Sequence, residues 1–287
     1  MPRRALIAAA LALVAAAALG YGARRLWLKS DDLLRPVVVL RGADAAALVA
    51  PSLGARAAAL LGAAPAPAGP RPKLIALTFD DGPYPVTTPL LLQTLRDLGV
   101  PATFFLIGRD AEQFPDLARA IAAAGHEIAD HTLTHPDLDR LSDAAVTAEL
   151  RDGAAALAAI APDPAERRLF RPPHGRYTPA TIRAAQAAGY DTVLWNDDPG
   201  DWRAVPAERL RDHLLARATA PEIVLLHSGR PATVAALPAV VAAYRRAGYR
   251  FVTVGALLRE VSADQLNRAA KAPLDGALRQ AQGDPGR

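Results

Sequence analysis

From Lys73 onward, short runs rich in β-branched and aromatic residues alternate with longer segments of helical period. The runs are Leu74 to Phe79, Thr103 to Ile107, Glu127 to Ala129, Leu169 to Arg171, Thr192 to Trp195, Ile223 to Leu226 and Arg250 to Thr253. Strands of this length separated by helices imply parallel βαβ units. The segment between the third and fourth runs shows the quality of the signal. Ser142 is a good N-cap, Leu141 and Val146 occupy the staple positions, and Asp143 complements the first turn. Val146, Leu150, Gly153, Leu157 and Ile160 then fall on one face at helical spacing. The pattern predicts one α/β domain over 73–260 with seven strands, for which a barrel-like parallel sheet is the economical closure. An open doubly wound sheet gives the same local pattern, and periodicity does not separate the two.

The flanks read differently. Arg3 and Arg4 precede an uncharged run from Ala5 to Gly22, and Arg24, Arg25 and Lys29 follow it. That run is about as long as a bilayer core requires, though mostly alanine. It reads as a signal or membrane-anchor helix within 1–29. The anchor is preferred because Ala18-Leu19-Gly20 is only a fair cleavage site. Residues 30–72 show no sustained period and end in alternating Ala, Pro and Gly, the composition of a semi-extended linker. Residues 261–287 lose the pattern and turn polar, so they are expected to form a loosely attached tail.

Composition narrows the partners. The formal net charge is +4, and only Lys29, Lys73 and Lys271 are lysines, so 30 of the 33 basic residues are arginine. These are interspersed with acids. No block of like charge with interleaved aromatics occurs, which argues against nucleic acid as a partner. The chain has no cysteine, which excludes disulfides and thiolate ligands and leaves His, Asp and Glu for any transition-metal site.

In parallel α/β folds chemistry gathers at the carboxyl ends of the strands. Five polar clusters lie there. Asp80-Asp81-Gly82-Pro83 closes the first strand, and a Gly-Pro break lets the two carboxylates point apart, one toward a metal and one free as a base. His131 and His135 follow the third strand, and histidines four apart on one helical turn can share an ion. With Asp81 they would make a His-His-carboxylate site with an open position. Arg171-Pro172-Pro173-His174-Gly175 ends the fourth strand with an arginine able to orient a carboxylate and a stiff loop whose backbone N–H can face an oxyanion. Asp198 to Trp202 follow the fifth strand, and His227 ends the sixth, where Asp201 is available to raise its pKa.

Taken together, TFDDGP, HTLTH, RPPHG, DPGDW and LLH, in this order over Lys73 to Leu258, resemble the polysaccharide deacetylase family, carbohydrate esterases that remove acetyl groups from chitin, peptidoglycan and xylan. The resemblance implies a distorted (β/α) barrel of about seven parallel strands and one divalent ion, usually zinc. It implies Asp81, His131 and His135 as metal ligands, Asp80 as base and His227 as acid. Arg171 would hold Asp80, Asp201 would pair with His227, and Trp202 and Leu225 would wall the acetyl methyl. His174 stands where tyrosine is usual, but the role belongs to the backbone N–H. Ser228 stands where aspartate is frequent after the histidine, which bears on how His227 is tuned. Of the other histidines, His126 reads as a surface or helix-end residue and His213 as solvated on an amphipathic helix.

The expected function is metal-dependent hydrolysis of acetyl groups, N-acetyl foremost, on an envelope or extracellular glycan by a membrane-held or exported enzyme. Two rivals are a small-molecule amidohydrolase on the same scaffold and a catalytically silent glycan-binding module. The first sits poorly with a complete set of five clusters. The second predicts substitution among Asp80, Asp81 and His227, where none occurs.

Overall fold

The computed structural model describes residues 39–40, 72–160 and 168–261. Within them β1 (Val39–Leu40) is followed by β2 (Leu74–Asp80), α1 (Thr87–Leu98), β3 (Thr103–Leu106), α2 (Gly108–Gln113), α3 (Pro115–Ala123) and β4 (Glu127–Asp130). Next come α4 (Asp143–Ile160), β5 (Arg168–Phe170), α5 (Pro179–Ala187), β6 (Tyr190–Val193) and α6 (Ala207–Arg217). The series ends with β7 (Glu222–His227), α7 (Pro231–Arg246), β8 (Arg250–Phe251) and α8 (Val254–Glu260). Three 3₁₀ turns, Leu138–Arg140, Pro173–Gly175 and Asp201–Arg203, lie in loops past strand ends.

Seven strands are parallel, as the alternation predicts, and their order settles the closure. Chain order runs β2-β3-β4-β5-β6 across the sheet, and β7 returns to the free edge of β2. A doubly wound sheet would reverse direction in the middle; this one goes round. The seam between β6 and β7 has no ladder and is stitched by the chain just past β6. Asn196 and Asp197 N–H donate to Ile223 O, and Leu225 N–H donates to Asp197 O at 2.9 Å. The barrel is therefore distorted at the seam. β8 pairs with the start of β2, and β1 adds antiparallel to β6, with Val39 opposite Val193. That pairing falls inside the stretch that reads as linker. Val261, the first residue of the expected tail, packs into the inner core; the Arg-flanked run and the rest of the tail lie outside the described residues, among which no helix is long and apolar enough to cross a membrane.

Strand alternation divides the apolar residues into two layers. Ile75, Leu77, Phe79, Phe104, Leu106, Val224 and Leu226 face outward onto α1, α6 and α7. Leu74, Ala76, Phe105, Ala129, Leu169, Val193 and Ile223 face inward, joined by Val254, Leu257 and Leu258 of α8. α8 closes the amino-terminal end of the barrel. There Thr103 Oγ1 accepts from Val254 N–H, and the Glu127 carboxylate accepts from Gly255 N–H. Each fully buried Leu or Phe contributes about 1.5–3 kcal/mol, so both layers are needed to hold a barrel whose strands are only two to seven residues long. The other end stays open for polar groups.

Candidate active site

The inward side of β2 carries Leu74, Ala76 and Thr78, and by the same alternation ends at Asp80, so the last two inward positions at the open end are polar. Asp81 and Gly82 then take left-handed backbone angles (φ 70° and 68°), which breaks the strand and turns the second carboxylate away from the first. For Asp81 this is an uncommon conformation, and such strain concentrates at sites the surroundings over-determine. A Cβ on Gly82 would come within 2.9 Å of the Tyr84 ring and 3.0 Å of Ser228 Oγ. Ser228 Oγ donates to the carbonyls of Asp80 and Asp81, so the residue in place of the frequent aspartate anchors the Asp-Asp backbone.

The two carboxylates thereby acquire different surroundings. Asp80 is buried, and its Oδ1 accepts from Arg171 Nη1 at 2.6 Å. Burial, only partly offset by the Arg171 and His227 charges, raises its pKa above the usual aspartate value. Arg171 is itself fully buried, stacked 3.9 Å from the Phe105 ring centroid, and also donates to Thr78 Oγ1, Val193 O and Leu194 O. Asp81 is partly open. Its Oδ1 lies 3.4 Å from His135 Nε2 and 3.8 Å from His131 Nε2.

The histidine loop is not the helical turn that four-residue spacing suggests. Residues 131–137 are irregular, with Thr132 and His135 left-handed (φ 70° and 59°). The rings meet because side chains hold the loop in this shape. Asp130 Oδ1 accepts from Thr132 N–H at 2.7 Å, and Thr132 Oγ1 accepts from His135 N–H at 3.0 Å. Tyr190 OH fixes the other oxygen of Asp130, whose pKa burial raises to about 7. On the far side α4 packs hard against the loop at Gly153, where a Cβ would stand 2.8 Å from Asp130 Oδ1 and 3.0 Å from Leu133 N. Gly153 thus belongs to the apolar face read from the sequence, but its small size serves the loop.

Asp81, His131 and His135 each offer one ligand atom, all within 4.8 Å of one another. His131 Nδ1 is 2.7 Å from the Arg171 carbonyl, which can only accept, so the proton sits on Nδ1 and the Nε2 lone pair faces Asp81. Burial lowers the His131 pKa to about 3, the neutral state a metal requires. Donor type, tautomer and spacing fit a divalent ion.

Across the opening, His227 Nδ1 donates to Asp201 Oδ1 at 2.7 Å, while Asp201 Oδ2 accepts from His227 N–H and Thr233 Oγ1. Burial alone would lower the His227 pKa; the Asp201 hydrogen bond and charge, with Asp80 and Asp81 beyond, outweigh it, and the pKa is raised. Leu225 lies two residues before His227 on the same strand face and is buried, whereas Trp202 is 45% exposed with the Arg203 guanidinium 4.4 Å over its ring. His174 is left-handed (φ 56°). The turn's internal bonds use Gly175 and Arg176 N–H, and the His174 ring pairs with Asp137 and meets His135 edge-on at 4.6 Å. A Cβ on Gly175 would come within 2.7 Å of the Trp195 ring, which braces this turn from inside.

All ten residues singled out in the sequence stand at the carboxyl ends of the strands or just past them. Sequence reasoning gave no site role to Asp130, Glu149, Gly153 and Trp195, which shape the site from behind. His126 is half-buried at a helix end, accepting from Ala102 N–H. His213 is not simply solvated, since its Nε2 lies 2.8 Å from the buried Asp197 carboxylate.

Known proteins share this organisation. The polysaccharide deacetylase family model matches residues 68–193. A peptidoglycan-N-acetylglucosamine deacetylase of Bacillus cereus is 41% identical over 192 residues, 65% of this chain and 89% of the relative. A chitooligosaccharide deacetylase of Bradyrhizobium is 41% identical over 157 residues, 55% of this chain and 71% of the relative. The crystal structure of the Bc1960 peptidoglycan N-acetylglucosamine deacetylase superposes with a TM-score of 0.62 at 32% identity, covering 66% of this chain and 89% of that one. Identity of that extent over nearly the whole of a relative, on the same barrel, makes this chain a member of the polysaccharide deacetylase family.

Proposed function

We propose that the chain hydrolyses N-acetyl groups on an envelope or extracellular glycan, with Asp81, His131 and His135 holding one divalent ion, zinc. When bound, such an ion polarises the acetyl carbonyl and lowers the pKa of a water toward ~7. Asp80 would accept the proton of the attacking water at Oδ2, because Arg171 occupies Oδ1. The new bond joins the water oxygen to the acetyl carbon. Negative charge on the carbonyl oxygen meets the His174 backbone N–H, and losing such a donor typically lowers the rate ~10²- to 10³-fold. As the carbon–nitrogen bond breaks, the protonated His227 gives its Nε2 proton to the amine, Asp201 holding Nδ1. Acetate departs. Leu225 and Trp202 form the apolar wall for the methyl group.

One observation carries this reading: adjacent carboxylates are split between two environments, Asp81 with two neutral imidazoles and Asp80 with a buried arginine. A binding module would have no use for that division. The names of the relatives support the substrate class, acetylated glucosamine in peptidoglycan or chitooligosaccharides. The test is acetate release by the zinc-loaded chain from N-acetylglucosamine oligomers, peptidoglycan and O-acetylated xylan. Release from at least one N-acetylated glycan, abolished by chelation, is expected; no release from any of them would overturn the reading. We also propose that the Arg-flanked run from Ala5 to Gly22 keeps the protein at the membrane with the barrel outside the cytoplasm. Recovery of the full chain in the soluble cytoplasmic fraction would contradict it.

A further inference from the structure

His131 and His135 stand four positions apart in a loop that is not helical, so something beyond the loop must help to hold His135 beside Asp81. Glu149, half-buried on the inner side of α4, is in position to do so. Its Oε2 accepts from Thr134 N–H at 2.8 Å and its Oε1 from Thr134 Oγ1 at 2.7 Å, a two-point grip on the residue before His135. The Glu149 backbone carbonyl accepts from Leu133 N–H at 3.2 Å, so one helical residue satisfies three donors of the loop. Gly153, one turn further along α4, allows the approach that makes these bonds possible. Neither Thr134 nor Glu149 contacts the ligand cluster through its own side chain.

We propose that Glu149 is a positioning residue for the metal centre: by gripping Thr134 it fixes the left-handed backbone of His135 and with it the placement of Nε2 against Asp81. The inference rests on the reading that Asp81, His131 and His135 hold the ion. A preformed site binds metal without first ordering its ligands, and loss of an outer partner of this kind typically lowers affinity ~10- to 100-fold. Glutamine at 149 keeps an acceptor for the Thr134 N–H and gains a donor for its hydroxyl oxygen, so it preserves the grip without the charge.

The experiment measures zinc affinity by chelator competition on the full chain for wild type, Glu149→Ala, Glu149→Gln and Thr134→Val. Glu149→Ala should bind zinc ~10- to 100-fold more weakly. Glu149→Gln should return to within a few-fold of wild type, and Thr134→Val, which loses one of the two bonds, should fall between. Thr134→Val also keeps the test open if Glu149→Ala does not fold. Wild-type affinity in Glu149→Ala and Thr134→Val would overturn the proposal. So would a Glu149→Gln protein as weak as the alanine variant, since charge rather than grip would then be responsible. If the wild type itself took up no zinc while folded, the metal-site reading would fall and this inference with it.

Discussion

Replacing Arg171 by methionine removes a guanidinium that is wholly buried and bonded at four points: to Asp80 Oδ1 at 2.6 Å, Thr78 Oγ1 at 2.7 Å, Leu194 O at 3.1 Å and Val193 O at 3.2 Å. Methionine retains much of the side-chain volume over the Phe105 ring, so little cavity forms. The main loss is the counter-charge. Removing one member of a buried ion pair destabilises by about 3–5 kcal/mol, and the two orphaned carbonyls add up to about 1 kcal/mol each. A total of about 3–7 kcal/mol is expected where Asp80 is ionised. The effect should depend on pH with a definite sign. Burial already raises the Asp80 pKa, and without Arg171 it rises further. A carboxyl with a raised folded-state pKa loses stability as pH climbs from the ordinary aspartate range to the raised value. The deficit of Arg171→Met should therefore be smallest in acid, where Asp80 is protonated in both proteins, and should grow from acid through neutral to alkaline pH as Asp80 ionises. Urea unfolding of metal-free wild type and variant across that range measures it, the metal being omitted because binding would itself shift stability. A loss under about 1 kcal/mol at the upper pH, or one independent of pH, would refute the reasoning.

Two further variants probe the titratable groups. Asp201→Asn should lower the His227 pKa, because it weakens the hydrogen bond and removes the charge that raise it, and move the alkaline limb of the pH–kcat profile down; an unmoved limb would remove His227 as the acid. Glu222 is fully buried at the start of β7, its Oε2 accepting from Tyr244 OH at 3.1 Å, and burial followed by the Asp197 charge raises its pKa well above the usual value. The wild type should thus lose stability as pH rises above the ordinary glutamate range, and Glu222→Gln should unfold at higher urea than wild type in alkaline buffer, the gap closing in acid.

The five clusters were legible because loops at strand ends expose polar residues where strand patterning stops. The α/β alternation was legible for the same reason, and Ser142 and the Val146-Leu150-Gly153 face of α4 behave as their pattern predicts. What the pattern could not carry was closure. The stitch of Asn196 and Asp197 to β7 is made by irregular backbone, which has no period. β1 is two residues long in an Ala- and Pro-rich stretch, too short to signal itself. The histidine loop misled because spacing of four fits a helix, while left-handed Thr132 and His135 are held by Asp130 and Glu149, residues outside the motif. Glu149 reads as an ordinary polar helix position until its partner in the loop is known. Asp197 and Glu222, buried acids behind the seam, look like surface residues in a linear chain.

The division of labour between Asp80 and Asp81 is the centre of the account. Distance to one histidine does not decide it, since His131 Nε2 is 3.7 Å from Asp80 Oδ2 and 3.8 Å from Asp81 Oδ1. What separates them is His135 beside Asp81 and Arg171 on Asp80. The direct test is zinc content and acetate release measured together on purified Asp80→Asn and Asp81→Asn. Asp81→Asn should lose zinc and activity together, because it takes a formal charge from a three-ligand site. Asp80→Asn should keep its zinc while turnover falls ~10²- to 10⁴-fold, the scale of a lost general base. An Asp80→Asn protein that loses its zinc beside an Asp81→Asn protein that keeps it would contradict the assignment outright.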